Sequence, residues 1–280
     1  MPLQDSATVA ETLSRGRSVR YYDSGPHAAS GETILLLHGT GGSADNNFWA
    51  LFPMLAMRHR VVALDFVDPD SAKPEAADYV DQVLRVVQAI DQPAIHLVGY
   101  SFGAVIGAEF AALHGDTLAS LSLVAGWART DVQQGLRNDT WRTLHAEKSA
   151  ALPGFSLLMN FSQSFLNARN EGELTALLES VASGPDRTVK MAFNRSVDIQ
   201  ALLPKIVAPS LAVGCLQDQT TPIRHSRLLF GGIGNCRYAE INSGHGVVHE
   251  RPAELFSVID AFVRDPHGTP AGHVFKNKHA

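Results

Sequence analysis

The chain has 280 residues, which is long enough for one large domain with a well-buried core. Its net charge of −5 at pH 7 gives no electrostatic reason to expect nucleic acid or an anionic membrane surface as a partner. The sequence has neither an apolar run of signal-peptide length near its start nor an apolar stretch of membrane-spanning length, so we expect a cytoplasmic protein.

Short apolar runs rich in β-branched residues predict the strands of a mostly parallel sheet. The runs are apolar on both faces, which suits strands that are covered on both sides. An earlier stretch, 18–22, alternates between apolar and polar residues and predicts an edge strand. The apolar runs lie at 33–37, 61–64, 95–98, 121–125, 210–214 and 236–241.

Segments with helical spacing separate these runs. One of them places apolar residues on a single helix face, at Val80, Val83, Leu84, Val87 and Ile90. Another follows Ser101 and closes at Gly115, and Pro252 can occupy the first position of a last helix. The alternation of strands and helices predicts an α/β fold.

The stretch 127–208 breaks the alternation, because it contains several helical segments and no convincing strand. We interpret it as a helical cap inserted between two parts of a core domain, 1–126 and 209–264. The remaining stretch, 265–280, is rich in glycine, proline and histidine and is predicted to be a flexible tail.

Two cysteines, Cys215 and Cys236, are too few for a disulfide framework. Their apolar neighbours predict buried thiols. Both fall on predicted strands that would be neighbours in the sheet, so a bridge between them stays open as an alternative.

The strongest local motif is Gly99-Tyr100-Ser101-Phe102-Gly103, which directly follows one predicted strand and directly precedes a helix. Glycines on both sides allow a tight, strained turn that a Cβ atom would obstruct. Such a turn exposes the serine hydroxyl at the positive end of the following helix. The motif therefore predicts Ser101 as a nucleophile.

A serine hydroxyl needs an adjacent base, and the base needs a carboxylate that fixes its tautomer. His245 lies in a glycine-flanked loop after the last predicted strand, and Asp218 lies in a loop after the preceding one. The carboxyl ends of parallel strands meet at one edge of a sheet, where ligands bind. We therefore predict Ser101, His245 and Asp218 as nucleophile, general base and orienting acid.

The turn after the run 33–37 supplies a candidate oxyanion hole. His38-Gly39-Thr40-Gly41-Gly42 is small enough for its backbone to approach a substrate. The backbone amides of Thr40 and Phe102 are the predicted donors, whereas His38 is predicted to organise the loop.

These segments closely resemble the α/β-hydrolase superfamily, in its group of cap-bearing, esterase-like serine hydrolases. The resemblance runs from about residue 18 to residue 264 and rests on ILLLHGTGGS, HRVVALDF, HLVGYSFGA, LVAGW, APSLAVGCLQDQTTP and AEINSGHGVVHERP. It implies a mostly parallel eight-stranded sheet flanked by helices, with a helical cap after the sixth strand, and it matches Ser101, Asp218 and His245 to the triad.

One departure from the family pattern limits what the resemblance transfers, and the position of the acid has an alternative. Many relatives carry an arginine and a glycine-rich turn where this chain has the acidic segment 65–70, which puts the transfer of a relative's substrate in doubt. Some relatives place the triad acid after the sixth strand, and this alternative points to Asp131.

The motifs together predict hydrolysis of an ester, thioester or activated amide through an acyl-serine intermediate, a chemistry that requires no metal and no organic cofactor. Acyl transfer, cyclisation, a cofactor-free lyase reaction and non-catalytic ligand binding stay open as alternatives. The expected partner is a small-molecule acyl substrate of apolar or mixed character, and a homodimer is possible. Substrate contacts are predicted at Gly39, Tyr100, Trp127 and Phe161.

Overall fold

The computed structural model describes residues 3, 7–26, 32–71 and 73–276. Their strands form one eight-stranded sheet in the order β1-β2-β4-β3-β5-β6-β7-β8. β2 pairs antiparallel with β1 and β4, and every other pairing is parallel. The strands are β1 (Thr8–Ser14), β2 (Arg17–Asp23), β3 (Thr33–Leu37), β4 (Arg60–Leu64), β5 (Ile95–Tyr100), β6 (Leu118–Val124), β7 (Ser210–Cys215) and β8 (Cys236–Ile241). The predicted α/β fold with a mostly parallel sheet is confirmed.

Helices cover both faces of this sheet, which explains why the central strands are apolar throughout. Side chains alternate along β3, where Leu35 and Leu37 enter the core beneath one helical layer. Ile34 and Leu36 enter the core beneath the other layer. The described helices are α1 (Ala44–Phe48), α2 (Leu51–Ala56), α3 (Ala76–Ile90), α4 (Phe102–Leu113), α5 (Val132–Ala146), α6 (Leu152–Asn160), α7 (Gln163–Asn167), α8 (Glu171–Ala182), α9 (Thr188–Ser196), α10 (Arg224–Gly232), α11 (Val247–Glu250) and α12 (Pro252–Arg264).

The two helical layers follow from the apolar faces of their members. α3, α4 and α10 contribute to the first core, and α1, α2, α11 and α12 contribute to the second. The predicted face of α3 is buried at Val80, Val83, Val87 and Ile90, and Leu84 packs against the same core. Among the described residues, no helix combines the length and the apolar character that crossing a bilayer requires.

The stretch between β6 and β7, which we call the helical insertion, contains α5 to α9 and a short 3₁₀ helix at Gln200–Lys205. The backbone that enters the insertion pairs with the backbone that leaves it. The amide of Thr130 donates to the carbonyl of Val197 over 2.9 Å, and the amide of Ile199 donates to the carbonyl of Ala128 over 2.7 Å. The insertion therefore begins and ends at one closed stem beside the sheet.

The prediction of a flexible tail over 265–280 is wrong for the part that the structure describes. The amide of Gly272 donates to the carbonyl of Cys236, and the amide of Phe275 donates to the carbonyl of Tyr238, each over 2.8 Å. β8 is an edge strand, so its outer backbone groups are open to pairing, and the tail satisfies them. The last four residues lie outside the described part of the chain.

Both cysteines are buried free thiols, as predicted. They lie at opposite ends of the β7–β8 pair, because Cys236 is opposite Ser210 and Cys215 is opposite Ile241. This register keeps the two sulfur atoms apart and rules out the bridge that the sequence left open.

Candidate active site

Ser101 occupies a strained turn between β5 and α4. Its backbone has φ 54° and ψ −116°, in a region that a residue with a Cβ atom rarely adopts. A Cβ atom on Gly99 would clash with the carbonyl oxygen of Gly103, and one on Gly103 would clash with that of Leu37. Glycine at both positions therefore permits the turn that projects the hydroxyl of Ser101 beside the N-terminus of α4.

A continuous chain of hydrogen bonds joins the three predicted site residues. Nε2 of His245 lies 2.8 Å from Oγ of Ser101, and Nδ1 of His245 lies 2.7 Å from Oδ2 of Asp218. The other carboxylate oxygen of Asp218 accepts backbone N–H bonds from Thr220 and Thr221, over 2.8 and 2.6 Å. The carboxylate is thus fixed on one side and presents its free oxygen to the imidazole.

The loop that carries His245 is held from two directions. Tyr100 donates its buried hydroxyl to the carbonyl oxygen of His245 over 2.9 Å, and desolvation raises the pKa of this phenol well above its usual value. The carboxylate of Glu250 accepts the amide of Gly244 over 3.0 Å and the hydroxyl of Ser162 over 2.6 Å. Glu250 therefore connects the histidine loop to the helical insertion, a role that was not predicted from the sequence.

Asp131, the alternative acid, is engaged elsewhere. Its carboxylate caps α5 by accepting the amide of Gln134 over 3.0 Å. It also forms an ion pair with Arg224 and lies 3.0 Å from Nε2 of His225. The structure thus places Asp218, rather than Asp131, against the imidazole of His245.

His38 fixes the orientation of the candidate oxyanion turn. Nε2 of His38 accepts the amide of Phe66 over 2.9 Å, so Nδ1 carries the proton and donates to the carbonyl oxygen of Gly39 over 2.8 Å. That carbonyl shares a planar peptide with the N–H of Thr40, which therefore points the opposite way. The N–H of Phe102, the first residue of α4, has no acceptor within its own helix.

Burial also makes His38 a source of acid sensitivity. Desolvation lowers its pKa from 6.5 to about 3, so between these values the unfolded chain binds a proton that the folded chain does not. The contribution of His38 to the free energy of unfolding is therefore present above about pH 6.5 and falls by about 1.4 kcal/mol per pH unit below it.

We expect His38→Gln to be less stable than the wild type at pH 7 and the difference to narrow steadily down to pH 4.5. Urea unfolding of both proteins at several pH values measures this difference directly. His267→Gln, which alters an exposed histidine, serves as the control that follows the wild-type curve. Parallel curves for the wild type and His38→Gln would contradict the assignment of a neutral, buried His38.

A cavity of about 580 Å³ opens over Ser101 and His245. The core domain contributes Gly39, Thr40 and Tyr100 to its wall, and the helical insertion contributes apolar side chains. The four predicted substrate contacts, Gly39, Tyr100, Trp127 and Phe161, all line it. Their contact with substrate stays a prediction. The apolar side chains of the insertion that line the cavity include Trp127, Trp141, Phe155, Leu157, Met159, Phe161, Phe165 and Met191.

The basic side chains of this cavity were not predicted from the sequence. Arg137, Arg169 and Arg187 line it, whereas no aspartate or glutamate of the described residues does. The signal for Arg137 was available, because Gln134 and Trp141 lie on the same side of α5 and are both buried. Only the docking of the insertion onto the core shows that this polar helix face lines the cavity with the serine.

Comparison with known proteins identifies a family and relatives that are named as hydrolases. The family described as alpha/beta hydrolase fold matches residues 32–252. Pyrrolizixenacetamide deacetylase of Xenorhabdus hominickii is 26% identical over 244 residues, which cover 83% of this chain and 91% of that protein. RutD of Caulobacter vibrioides, provisionally named a carbamate hydrolase, is 26% identical over 273 residues, which cover 90% and 97% of the two chains.

A solved structure shows the same architecture. MGS-M2, an α/β-hydrolase enzyme from a Medee basin deep-sea metagenome library, superposes with a TM-score of 0.82 at 18% identity. The match covers 90% of this chain and 96% of that one. The extent of the family match and the names of the relatives lead to one conclusion: this chain belongs to the α/β-hydrolase fold family and is a hydrolase.

Proposed function

We propose that the protein is a serine hydrolase that cleaves an ester or thioester through an acyl-serine intermediate. The observation that carries the proposal is the hydrogen-bond chain from Ser101 through His245 to Asp218. A nucleophile, a base within hydrogen-bond distance and a group that orients the base are the parts that this chemistry needs.

Each residue then has one role in the reaction. Oγ of Ser101 attacks the carbonyl carbon while Nε2 of His245 takes its proton, and Asp218 stabilises the imidazolium that forms. The amides of Thr40 and Phe102 bind the oxyanion, and each such donor is worth about 3 kcal/mol in the transition state. The imidazolium protonates the leaving oxygen or sulfur as the carbonyl re-forms.

Water completes the cycle. His245 removes a proton from a water molecule that attacks the acyl-serine, and the second tetrahedral intermediate collapses to release the acid and restore the hydroxyl of Ser101. We propose that the helical insertion acts as a cap in this step, because its aromatic side chains form the wall of the cavity and limit the entry of other nucleophiles. The names of the two relatives extend the candidate substrates to amide and carbamate carbonyls.

Labelling with a fluorophosphonate probe tests the proposal. We expect rapid labelling of the wild-type protein at a single peptide that contains Ser101, and no labelling of Ser101→Ala. Ser180→Ala removes another serine of the cavity wall and serves as the matched control that keeps the label. Equal labelling of Ser101→Ala, or a labelled peptide without Ser101, would overturn the assignment of the nucleophile.

A further inference from the structure

We infer that the substrate carries a carboxylate group, which Arg137 and Arg187 bind in the cavity above Ser101. This inference rests on the proposed function and narrows it to esters or thioesters of dicarboxylic acids. It departs from the apolar or mixed acyl group that the sequence predicts, because two arginines of the helical insertion line the cavity.

Within the described part of the chain, the wall of the cavity carries basic side chains and no acidic ones. Three of the described residues that line the cavity are arginines, and none is an aspartate or a glutamate. Arg169 has an ion-pair partner in Glu173 at 3.5 Å and stacks over the ring of Phe165, whereas its Nε has no acceptor among the described residues. Arg137 and Arg187 form no ion pair with any described carboxylate, which leaves two positive charges in a cavity of a protein whose net charge is negative.

Arg137 has a buried donor that no described residue satisfies. Its Nη2 donates to Oδ1 of Asn138 over 2.7 Å, whereas its Nε is buried and has no acceptor among the described residues. Desolvation lowers the pKa of Arg137 to about 10; the nearby carboxylate of Asp218 opposes this shift, and the charge of Arg187 adds to it. A buried charge without a direct ion-pair partner is costly, and a charged group with a strongly shifted pKa in a cavity is a candidate for ligand binding.

Arg187 lies close to the candidate oxyanion turn. Its Nη2 donates to Oγ of Ser156 over 3.2 Å, and its guanidinium lies over the ring of Trp141 at 5.3 Å from the centroid. A Cβ atom on Gly41 would lie only 3.2 Å from Nη1 of Arg187. Gly41 directly follows Thr40, so this guanidinium lies beside the turn that we assign to the oxyanion hole.

The chemistry of these donors selects a carboxylate. Guanidinium groups bind carboxylates through two parallel N–H bonds, and such charge-assisted pairs are strong in a partly desolvated site. Nε1 of Trp141, which is buried and has no acceptor among the described residues, adds a neutral donor to the same wall. The cavity volume of about 580 Å³ accommodates a small acyl chain with a carboxylate at its far end.

Paired substrates test the inference. We compare the 4-nitrophenyl hemiester of adipic acid, which carries a free carboxylate, with the same compound capped as a methyl ester. The wild type should prefer the free carboxylate in kcat/KM by about 30-fold or more, and Arg137→Met or Arg187→Met should remove most of this preference. Arg142→Met changes an exposed arginine of the same helix and should keep the full ratio.

Binding without turnover separates this inference from the proposed function. Titration calorimetry with adipate on Ser101→Ala should give a measurable Kd, and adding Arg137→Met should weaken it by about 30-fold or more. Failure of the triad assignment alone would leave this binding intact, whereas equal affinity for adipate in both proteins would overturn the arginine site. Tighter binding of inorganic phosphate than of adipate would overturn the choice of carboxylate.

Measurement of Tm distinguishes a variant that has lost the carboxylate site from one that has lost its fold. Methionine fills a volume similar to that of the arginine stem without its buried charge, so Arg137→Met should have a higher Tm than the wild type while losing the preference for the carboxylate. A lower Tm together with loss of all esterase activity would show that Arg137 is structural and would overturn the inference.

Discussion

Replacement of Ser101 by alanine is expected to lower kcat for the best ester substrate by about 10⁶-fold, with little change in the overall fold. The loss is large because the imidazole of His245, 2.8 Å away, then has no hydroxyl to activate. Steady-state hydrolysis of 4-nitrophenyl esters, with each variant purified separately to exclude contamination, measures the effect. The buried side chain is small, and alanine relieves none of the backbone strain at φ 54°.

A variant that combines Ser101→Ala with His245→Ala tests whether the two side chains act together. His245→Ala should cost about as much as Ser101→Ala, and the double variant should cost no more than either, because the residues act as one unit. Ser122→Ala provides the control: this serine is buried in the neighbouring strand β6 and its hydroxyl has no partner among the described residues. Additive losses in the double variant would show that the two side chains act independently.

The sequence predicted the central strands because burial on both faces leaves a distinctive mark. β3 and β5 are buried at every position, and apart from Thr33 and His96 their side chains are large and apolar or aromatic, with one glycine. β1 escaped prediction because it lies at the sheet edge and exposes side chains such as Glu11 along most of its length. The tail beside β8 escaped for a related reason, since its pairing uses backbone groups that any sequence possesses.

The sequence anticipates which side chains the fold brings together where one local rule suffices, and it gives no such indication where tertiary packing decides. Ser101, Asp218 and His245 each follow a strand of a parallel sheet, so topology alone brings their loops to one edge. Arg137 and Arg187 are 50 positions apart in the chain and lie on different parts of the helical insertion. Their meeting depends on how α5 docks beside α9, which no short pattern in the sequence specifies.

The environment of Asp218 makes a second large effect predictable, that of Asp218→Asn. Oδ1 of Asp218 accepts two backbone amides, from Thr220 and Thr221, so the asparagine must place its carbonyl oxygen there. Its NH₂ group then faces Nδ1 of His245 and donates to it. That donation selects the tautomer with the proton on Nε2, which cannot accept the proton of Ser101, and we expect kcat to fall by about 10⁴-fold.

Asp218→Ala distinguishes this tautomer effect from a simple loss of charge. Alanine imposes no tautomer and leaves space beside Nδ1, so added formate should restore part of the activity of Asp218→Ala and none of Asp218→Asn. Asp131→Asn makes the same chemical change at a carboxylate that caps α5 and does not contact His245, and its activity should stay within about twofold of the wild type. If Asp131→Asn were as damaging as Asp218→Asn, or if formate restored the asparagine variant, the orienting role of Asp218 would be refuted. The backbone holds one oxygen of the Asp218 carboxylate, and the imidazole of His245 contacts the other. The activities of the asparagine and alanine variants therefore report which tautomer of His245 is present.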